Sequence, residues 1–528
     1  MKIRYDILLR TMLSAAVALS LASCLSDFDE YNHNPNETTD EELRRDNYLT
    51  GSYLEALMDQ VIPAEEHQYQ FIESLVGQPY ARYTAPTPNG WVQSFPRFNP
   101  PQPWVKALFN DPLTNVYPNW RGIRKNTEDA VILALADVLR VSVMHRVTDQ
   151  FGPIPYTQIA ENRKGQLTVG YDTQEQAYTA MFGELDAALA VFEANKGLST
   201  EALADYDRVY GGDIGKWIKY TNSLKLRMAL RLSYIDPTTA QTRAAEAIAG
   251  GCILVNADNA ALRPAVNRTA MIYNDWQDHV LAAEIVAYTN GYRDPRQKFM
   301  FTSVTLGTGE TATQGYAGLR VGPVPGNSQT AKDKCSFPLL TEQSPLMWFC
   351  AAEVAFLRAE YELRWGTASE AGELYRQGVQ LSFEQWGAGK ADEYLADATR
   401  KPAAFTDPMG TGYNFMAPST ITPVWNDEDM AETALERIIT QKWIALFPQG
   451  NEAWAEHRRT GYPRFSPIPD DCNLSGGTVN SSLGARRIPY PAEEYAENRA
   501  NVEEAVRTQL GGADNAGTRL WWDCKPLN

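Results

Sequence analysis

The segment Glu436–Arg464, ERIITQKWIALFPQGNEAWAEHRRTGYPR, is the part of the chain around which the rest can be arranged. Its first half carries one apolar stripe at three- and four-residue spacing, made of Ile438, Ile439, Trp443, Ile444 and Phe447. This spacing predicts an amphipathic α-helix. Pro448 and Gly450 predict where that helix stops. A second short helix and a basic, aromatic turn, RRTGYP, are expected after it.

Two tryptophans and two arginines stand out within this segment. Trp443 and Trp454 fall on apolar helix faces, and taken alone they indicate core packing. Arg458 and Arg459 are expected on a solvated or an ion-paired face. The single residues therefore specify no function, whereas the complete string is more specific than its parts.

Read together with the tail of the chain, the segment resembles the C-terminal half of the SusD/RagB family. The tail contains RIPYPAEEYAENRANVEEAV from Arg487 and LWWD ending at Asp523. The strings TDQFGPIPYTQ at 148–158 and DIGKWIKYTNSLKLRMALRLSY at 213–234 are also similar to motifs of that family. The branch called SusD-like, second type, is the nearer one. The resemblance implies a mainly α fold of tetratricopeptide-like helical repeats, wrapped by irregular, loop-rich segments.

Apolar stripes at helical spacing recur from about residue 50 to 250 and again near 345–390. Paired helices repeated every ~34 residues are typical of tetratricopeptide arrays. The stretch Pro79–Pro118 interrupts the first series, because it is dense in proline and aromatic residues and fits neither a helical nor a strand period. We expect an irregular loop there, and its aromatic content favours an ordered, functional loop.

Local patterns predict three further boundaries. Asp172 is expected to open a helix as part of a capping box with the glutamate three residues later. Asn274–Thr289 is expected to be helical. Pro345–Trp365 is expected to be one apolar helix, in which Glu353 and Glu360 are ion-paired or rim carboxylates rather than a catalytic acid/base pair.

The N-terminus has the pattern of a bacterial lipoprotein signal. A basic start leads into the short apolar run Met12–Ala22, which is too short to span a bilayer as a helix. The run ends in LASC, which resembles a lipobox and marks Cys24 as the lipidated, palmitate-bearing residue. An ordinary cleaved signal with an incidental cysteine is the alternative.

This pattern predicts three regions: a signal peptide at 1–23, a lipidated tether at 24–46 and a single SusD-like unit at 47–528. The predicted location is the outer membrane, through the lipid anchor. The acidic residues Asp27 and Asp29 resemble an export signal that would turn the protein outward, although a plain solvated tether is an equal alternative.

Composition limits the class of partner and of chemistry. The formal net charge is −17, which argues against nucleic acid or an anionic lipid surface as the main partner. Five His and six Cys occur without a CxxC, an HExxH or a closely spaced set, so no metal site and no cofactor are expected. No stretch places a nucleophile or a carboxylate pair in a recognisable catalytic context. We therefore expect a binding protein rather than an enzyme.

The resemblance implies capture of an oligosaccharide and its delivery to a SusC-like TonB-dependent transporter. In glycan-binding members, the contacting aromatic residues lie in loops after the first helix pair and past the middle repeats. The similar places in this chain hold the predicted ligand-binding residues Asn89, Trp91, Phe95, Tyr273 and Trp276. Aromatic rings would stack on the apolar faces of sugars while polar groups fix their orientation.

Alternatives remain at this stage. A peptide-binding member of the same family, a ligand-free structural scaffold and, less favoured, a glycoside hydrolase would each fit parts of the sequence. The sequence also leaves open whether Cys472 and Cys524 form a disulfide, which an oxidising compartment would allow.

Overall fold

The computed structural model describes residues 47–161, 168–198 and 201–526. The predicted signal peptide 1–23, the predicted tether 24–46 and the predicted lipidation site Cys24 lie outside the described residues. Residues 51–528 form one compact unit, which holds the core and the sites that follow.

The chain is mainly helical, which confirms the expected fold class. The helices of ten or more residues are α1 Tyr48–Val61, α2 Gln102–Asn126, α3 Ala130–Phe151, α4 Gln174–Ala194, α5 Ile214–Arg231, α6 Pro237–Gly250, α7 Ala283–Tyr292, α8 Ala351–Trp365, α9 Ala368–Gln385, α10 Ala431–Leu446, α11 Gly450–Thr460 and α12 Arg499–Thr508. Shorter α-helices are Glu66–Tyr69, Gln78–Tyr80, Thr157–Glu161, Glu201–Ala204, Gln297–Met300, Ser328–Lys334, Asp392–Leu395 and Ala492–Glu497, with π-helical segments at Gln70–Gly77 and Ile272–Trp276. Within the described ranges, no helix combines the length and the apolar composition needed to cross a membrane.

Strands are few and short. They are β1 Thr84–Pro86, β2 Ala260–Leu262, β3 His279–Leu281, β4 Val304–Leu306, β5 Thr313–Gly315 and β6 Leu346–Phe349. They pair in antiparallel twos, β1 with β3, β2 with β6 and β4 with β5. Two of these ladders join segments far apart in sequence and so fix the irregular regions onto the helices.

The long helices pack as successive neighbours, α2 on α3, α3 on α4, α4 on α5 and α5 on α6. A second pair, α8 and α9, follows, and α8 also lies against α5 and α10. Side-chain caps begin several of these helices and satisfy backbone N–H groups that have no partner within the helix; the capping residues are Asp129, Thr173, Asp213, Asp236 and Thr367. The paired arrangement is the one expected for helical repeats.

Buried charges join four of the helices. The Arg459 guanidinium on α11 bonds Glu360 of α8 at 2.6 Å and Glu456, one turn earlier, at 2.7 Å. Glu456 also pairs with Lys442 of α10 at 2.9 Å and with Arg231 of α5. All five side chains are buried. Because a buried charge is costly unless it is paired, this network constrains how α5, α8, α10 and α11 meet.

The other residues singled out in the opening segment are also internal. Trp443 is buried and its Nε1 donates to the carbonyl of Ala81 at 2.8 Å. Trp454 is buried beneath the Arg458 guanidinium, whose carbon lies 3.6 Å from the ring centroid. Core packing is thus confirmed for both tryptophans. The solvated alternative is wrong for both arginines, since each is buried against partners.

Gly450 begins α11, at a point where two backbones touch. A Cβ on Gly450 would lie 2.2 Å from the Gln78 nitrogen, and a Cβ on Gly77 would lie 2.7 Å from the Asn451 nitrogen. The Glu73 carboxylate caps the same turn, because its Oε2 accepts from the Gly450 N–H at 2.9 Å and the Asn451 N–H at 3.3 Å. The close approach requires residues without a Cβ on both sides.

The expectation of an irregular loop over Pro79–Pro118 is wrong for its second half. Helix α2 begins at Gln102 and contains Pro112 and Pro118. Each internal proline removes one backbone donor, yet the helix persists because its apolar face is buried along its length. Tertiary packing therefore overrides the local penalty.

The predicted capping box is displaced by one residue. Thr173 caps α4 and forms the reciprocal pair with Gln176. Asp172 instead accepts the backbone N–H groups of Tyr156 and Thr157 at 3.0 Å and 2.8 Å. It ties the turn after α3 to the start of α4.

The predicted helices Asn274–Thr289 and Pro345–Trp365 each begin with other structure. The first contains the end of a π-helical segment and then β3 before α7, and the second contains β6 before α8. Distant strands pair with these segments, which local periodicity does not reveal. The expected ion pairing of Glu353 and Glu360 is confirmed, and Glu353 meets Arg227 at 2.7 Å.

The disulfide that the sequence left open is absent, since Cys472 and Cys524 are both free thiols within the described residues. Cys472 is largely buried, whereas Cys524 is partly exposed. Burial raises the pKa of the Cys472 thiol to about 11.

Candidate functional site

Two loops that are nearly two hundred residues apart in sequence leave the same end of one strand pair. In the ladder of β1 with β3, Pro86 lies opposite His279. The loop that follows β1 carries Asn89 and Trp91, and the segment that precedes β3 ends at Trp276. Because antiparallel strands place the exit of one beside the entrance of the other, these loops become neighbours.

Backbone contacts continue the pairing beyond the strands. The Thr87 N–H donates to the Asp278 carbonyl at 2.8 Å, and the Thr87 hydroxyl donates to the Gln277 carbonyl at 2.6 Å. Gln277 takes the left-handed conformation, with φ of 56°, and turns the chain out of the π-helical segment. The two loops are therefore held together by main-chain hydrogen bonds as well as by the ladder.

The short helix Ser328–Lys334 braces both loops. The Ser328 hydroxyl accepts the Asn89 N–H at 2.9 Å, and one turn later the Lys332 ammonium donates to the Trp276 carbonyl at 3.1 Å. Residues four apart lie on one face of a helix. A third part of the chain thus fixes the spacing between the loops.

The Trp91 ring is half-buried and packs edge-on to Trp104, with ring centroids 5.3 Å apart. The centroid of the His279 ring lies 5.7 Å from that of Trp91, and the two rings are tilted by 55°. That imidazole is fully buried and neither ring nitrogen has a hydrogen-bond partner within the described part of the chain. Burial lowers its pKa to about 3, so it is neutral at physiological pH. Trp91 consequently packs against an uncharged, fully buried aromatic ring.

The Trp276 ring is also half-buried and stacks on the exposed His67 imidazole, at a centroid distance of 5.0 Å and an interplanar angle of 30°. His67 lies on the short helix Glu66–Tyr69, and the preceding Glu65 caps that helix by accepting the Gln68 N–H at 2.8 Å. Trp276 therefore combines a supported orientation with partial exposure.

Two of the predicted ligand-binding residues are interior. Phe95 is fully buried, and its ring stacks with that of Trp104 at a centroid distance of 6.3 Å. Tyr273 is 1% exposed and its hydroxyl donates to Gln78 Oε1 at 2.7 Å. Burial raises the pKa of Tyr273 above its ordinary value. Asn89, Trp91 and Trp276 thus keep full or partial exposure on the two joined loops, whereas the other two residues pack in the interior.

Sequence reasoning missed His67, His279, Ser328 and Lys332 at this site. No local pattern distinguishes these residues from other polar residues in loops and short helices. His67 could have been noticed only through the acidic run before it. Their roles arise from contacts with segments that are distant in the chain.

Glu65, Glu66 and His67 are the described residues whose candidate metal-ligand atoms lie within 4.8 Å of one another. Both carboxylates already have partners, since Glu65 caps its helix and Glu66 pairs with Arg268. The imidazole stacks on Trp276. These contacts account for the cluster without a metal ion.

Comparisons with known proteins agree with this architecture. The sequence profile described as "SusD-like: Susd and RagB outer membrane lipoprotein" matches residues 30–523. A SusD homologue of Bacteroides thetaiotaomicron is 41% identical with a TM-score of 0.85, and the match covers 91% of this chain and 100% of that one. A SusD homologue of Bacteroides uniformis is 40% identical with a TM-score of 0.85, covering 91% and 100%. A chitin-binding SusD homologue of Flavobacterium johnsoniae is 32% identical with a TM-score of 0.83, covering 90% and 99%. No curated protein matches.

The chain belongs to the SusD/RagB family. This family is described as outer-membrane lipoproteins, and together with the chitin-binding relative it supports a nutrient-binding protein. The family therefore agrees with the class of protein expected from the sequence.

Proposed function

We propose that the protein is a cell-surface lipoprotein that captures an oligosaccharide and delivers it to a SusC-like TonB-dependent transporter. The capture site would be the aromatic platform, defined as the rings of Trp91 and Trp276. The observation that supports this most directly is the β1–β3 ladder, which joins the two loops that carry these partly exposed indole rings. Indole faces stack on the apolar faces of sugars, and the exposed Asn89 is a polar group available to orient them.

The location and the partner follow from family membership. The family description as outer-membrane lipoproteins supports an anchor at Cys24. Stable anchoring requires more than one acyl chain, and a triacylated cysteine would satisfy that requirement. Delivery to a transporter would explain why binding at the cell surface is useful without catalysis.

An oligosaccharide is favoured over a peptide because a relative at 32% identity is a chitin-binding protein. Chitooligosaccharides are therefore the first probes, with maltooligosaccharides and short peptides as comparators. Tighter binding of the peptides would favour the peptide-binding alternative, and binding of none of these probes would favour the scaffold alternative.

The test pairs affinity with stability for Trp91→Ala and Trp276→Ala. Stacking on one ring contributes ~1–3 kcal/mol, so each variant should bind chitohexaose roughly 10- to 100-fold more weakly by calorimetry, with a near-unchanged melting temperature. Trp454→Ala is the matched control, because a buried tryptophan costs ~3–5 kcal/mol of stability when truncated. Full affinity in both platform variants, or a collapse of their melting temperatures like that of the control, would overturn the platform.

A further inference from the structure

A cavity of about 430 Å³ adjoins the segment that ends at Trp276. It is lined by residues within 62–73, 256–269, 339–347, 384–386 and 447–449. Asn267 and Thr269 line it and belong to the stretch that continues to Trp276, and Asn274 of that stretch donates to the carbonyl of the lining residue Leu340 at 3.0 Å. Its volume lies within the range of small-ligand sites, about 300–1,000 Å³.

The span of the cavity can be estimated from two of its lining residues, Asn259 and Arg263. Asn259 and Arg263, the residues directly before and after strand β2, both line the cavity. Asn259 Nδ2 reaches Gln385 Oε1 at 3.4 Å, next to Trp386. With a rise of about 3.3 Å per residue and a register irregularity between Ala260 and Ala261, Arg263 lies at most roughly 13 Å along the chain from Asn259. A ligand that touches both ends must therefore contain linked units.

Two side chains that line the cavity, Arg263 and Trp386, make few hydrogen bonds within the described part of the protein. Among the described residues that line the cavity, Arg263 is the only basic one, and it forms no ion pair with any described carboxylate. Its one hydrogen bond is a long contact of 3.4 Å to the Ala261 carbonyl. At the other end, the indole N–H of Trp386 is buried and has no acceptor in the described part of the chain. The Arg263 side chain is exposed.

The two carboxylates that line the cavity are engaged elsewhere. Glu73 accepts the N–H groups at the start of α11, as described above, and burial raises its pKa. Glu384 is exposed and accepts from Gln380 Nε2, one turn earlier on α9, at 3.0 Å. Neither pairs with Arg263 or with Trp386.

Apolar side chains surround the cavity. Ile62, Leu346, Met347 and Phe447 line it. Exposed aliphatic residues also occur at or beside lining positions: Leu254, Val255, Val266 and Leu339. An exposed apolar patch with convergent polar groups is typical of a ligand groove. Sugar rings present apolar faces of the kind that such a rim would accept.

We propose that this cavity is a subsite for the acidic end of an oligosaccharide, in which the exposed Arg263 pairs with the carboxylate of a uronic-acid-type unit and the Trp386 side chain forms part of the wall against which the saccharide packs. The proposal rests on the proposed function and adds a carboxylate-bearing saccharide unit to the ligands that the protein accepts. A guanidinium binds a carboxylate through two parallel hydrogen bonds, so charge and shape are both recognised.

The test compares two ligands that differ only in charge. Digalacturonic acid and its dimethyl ester are titrated calorimetrically into the mature protein and into Arg263→Gln, Trp386→Phe and Arg499→Gln. The acid should bind the mature protein more tightly than the ester does. Arg263→Gln should weaken binding of the acid roughly 10- to 100-fold and abolish the difference in affinity between acid and ester. Trp386→Phe should weaken acid and ester alike. Arg499→Gln is the control for loss of a positive charge, because that side chain is 67% exposed and lies on α12.

Three outcomes would overturn the inference: equal affinity for acid and ester, unchanged acid binding in Arg263→Gln, or preferential binding of trialanine over digalacturonic acid, which would identify a peptide carboxylate as the ligand. Trp91→Ala and Trp276→Ala separate this inference from the proposed function. If chitohexaose binds in a platform-dependent manner while digalacturonic acid does not bind, only the cavity inference fails. If no saccharide binds, both fail.

Discussion

Arg459 and Arg263 show one residue type used in opposite ways. The Arg459 guanidinium is fully buried and bonds Glu360, Glu456 and the Ser233 hydroxyl. The Arg263 guanidinium lies at the wall of an open cavity and has no carboxylate partner within the described residues. In the interior, hydrogen-bonding capacity is used by the protein itself. At the cavity it remains available, which is the property that a binding site needs.

The tryptophans repeat this contrast. Trp443 and Trp454 are buried and donate their indole N–H groups to backbone carbonyls at 2.8 Å and 3.1 Å. Trp91 and Trp276 are packed on one side and retain exposure on the other. The same side chain is thus a structural element where both faces are covered and a candidate binding surface where one is open.

Arg459→Ala should have the largest effect on this comparison. Removing Arg459 leaves the buried Glu360 with Arg364 alone and takes one of three cationic partners from Glu456, so the free energy of unfolding should fall by ~3–5 kcal/mol in denaturant titrations. The matched control is Arg499→Ala, whose ion pair with Glu503 is exposed and should cost less than ~1 kcal/mol. Similar losses in the two variants would contradict the structural role of the buried network.

Gly450→Ala tests the packing of the same interior. The new Cβ would lie 2.2 Å from the Gln78 nitrogen, so we expect a loss of ~1–3 kcal/mol in the free energy of unfolding. Gly183→Ala, at an exposed position of α4 with nothing within 4 Å, should instead gain ~0.5–1 kcal/mol through helix propensity. Thermal melts of both variants check this, and a shift of equal sign would refute the close contact.

The pH dependence of stability reports on the support under Trp91. The pKa of His279 is lowered by burial from 6.5 to about 3, so between these values the unfolded chain binds a proton that the folded chain does not. Stability from this residue is complete above pH 6.5 and is lost as the pH falls, by up to ~1.4 kcal/mol per pH unit.

His279→Phe should therefore flatten the dependence of the free energy of unfolding on pH between 6.5 and about 3. The substitution removes no hydrogen bond, since neither ring nitrogen has a described partner. His145 and His457, whose pKa values are also lowered to about 3 by burial, contribute equally to both proteins and cancel in the difference. Parallel curves for the two proteins would contradict the neutral state of His279.

The smallest effect on stability is expected at the cavity. Arg263→Gln and Trp386→Phe remove groups that make no strong internal bond, so each should change the free energy of unfolding by no more than ~0.5 kcal/mol. Denaturant titration of both variants is the measurement. A loss as large as that of Arg459→Ala would assign these donors to the structure rather than to a ligand.

The sequence by itself determined the fold class, the family and the interior role of the opening segment. The 3.6-residue period of α10, the ion pairing of Glu353 and Glu360, and the burial of Trp443 and Trp454 were all predicted. Such features can be predicted because residues three or four apart lie on the same face of a helix. The spacing of apolar residues in the sequence therefore indicates which side chains are buried. Element boundaries were less accurate wherever a distant strand paired with a segment, as β6 does before α8.

Only the tertiary structure decided which of the five predicted ligand-binding residues face outward. Phe95 and Tyr273 are covered, whereas Trp91 and Trp276 stay partly exposed on loops joined by a ladder whose strands are far apart in sequence. The free donors of the cavity are likewise invisible in sequence. Whether a ring is covered or a guanidinium is paired depends on atoms contributed by other segments, and no local pattern encodes the contacts that a side chain fails to make.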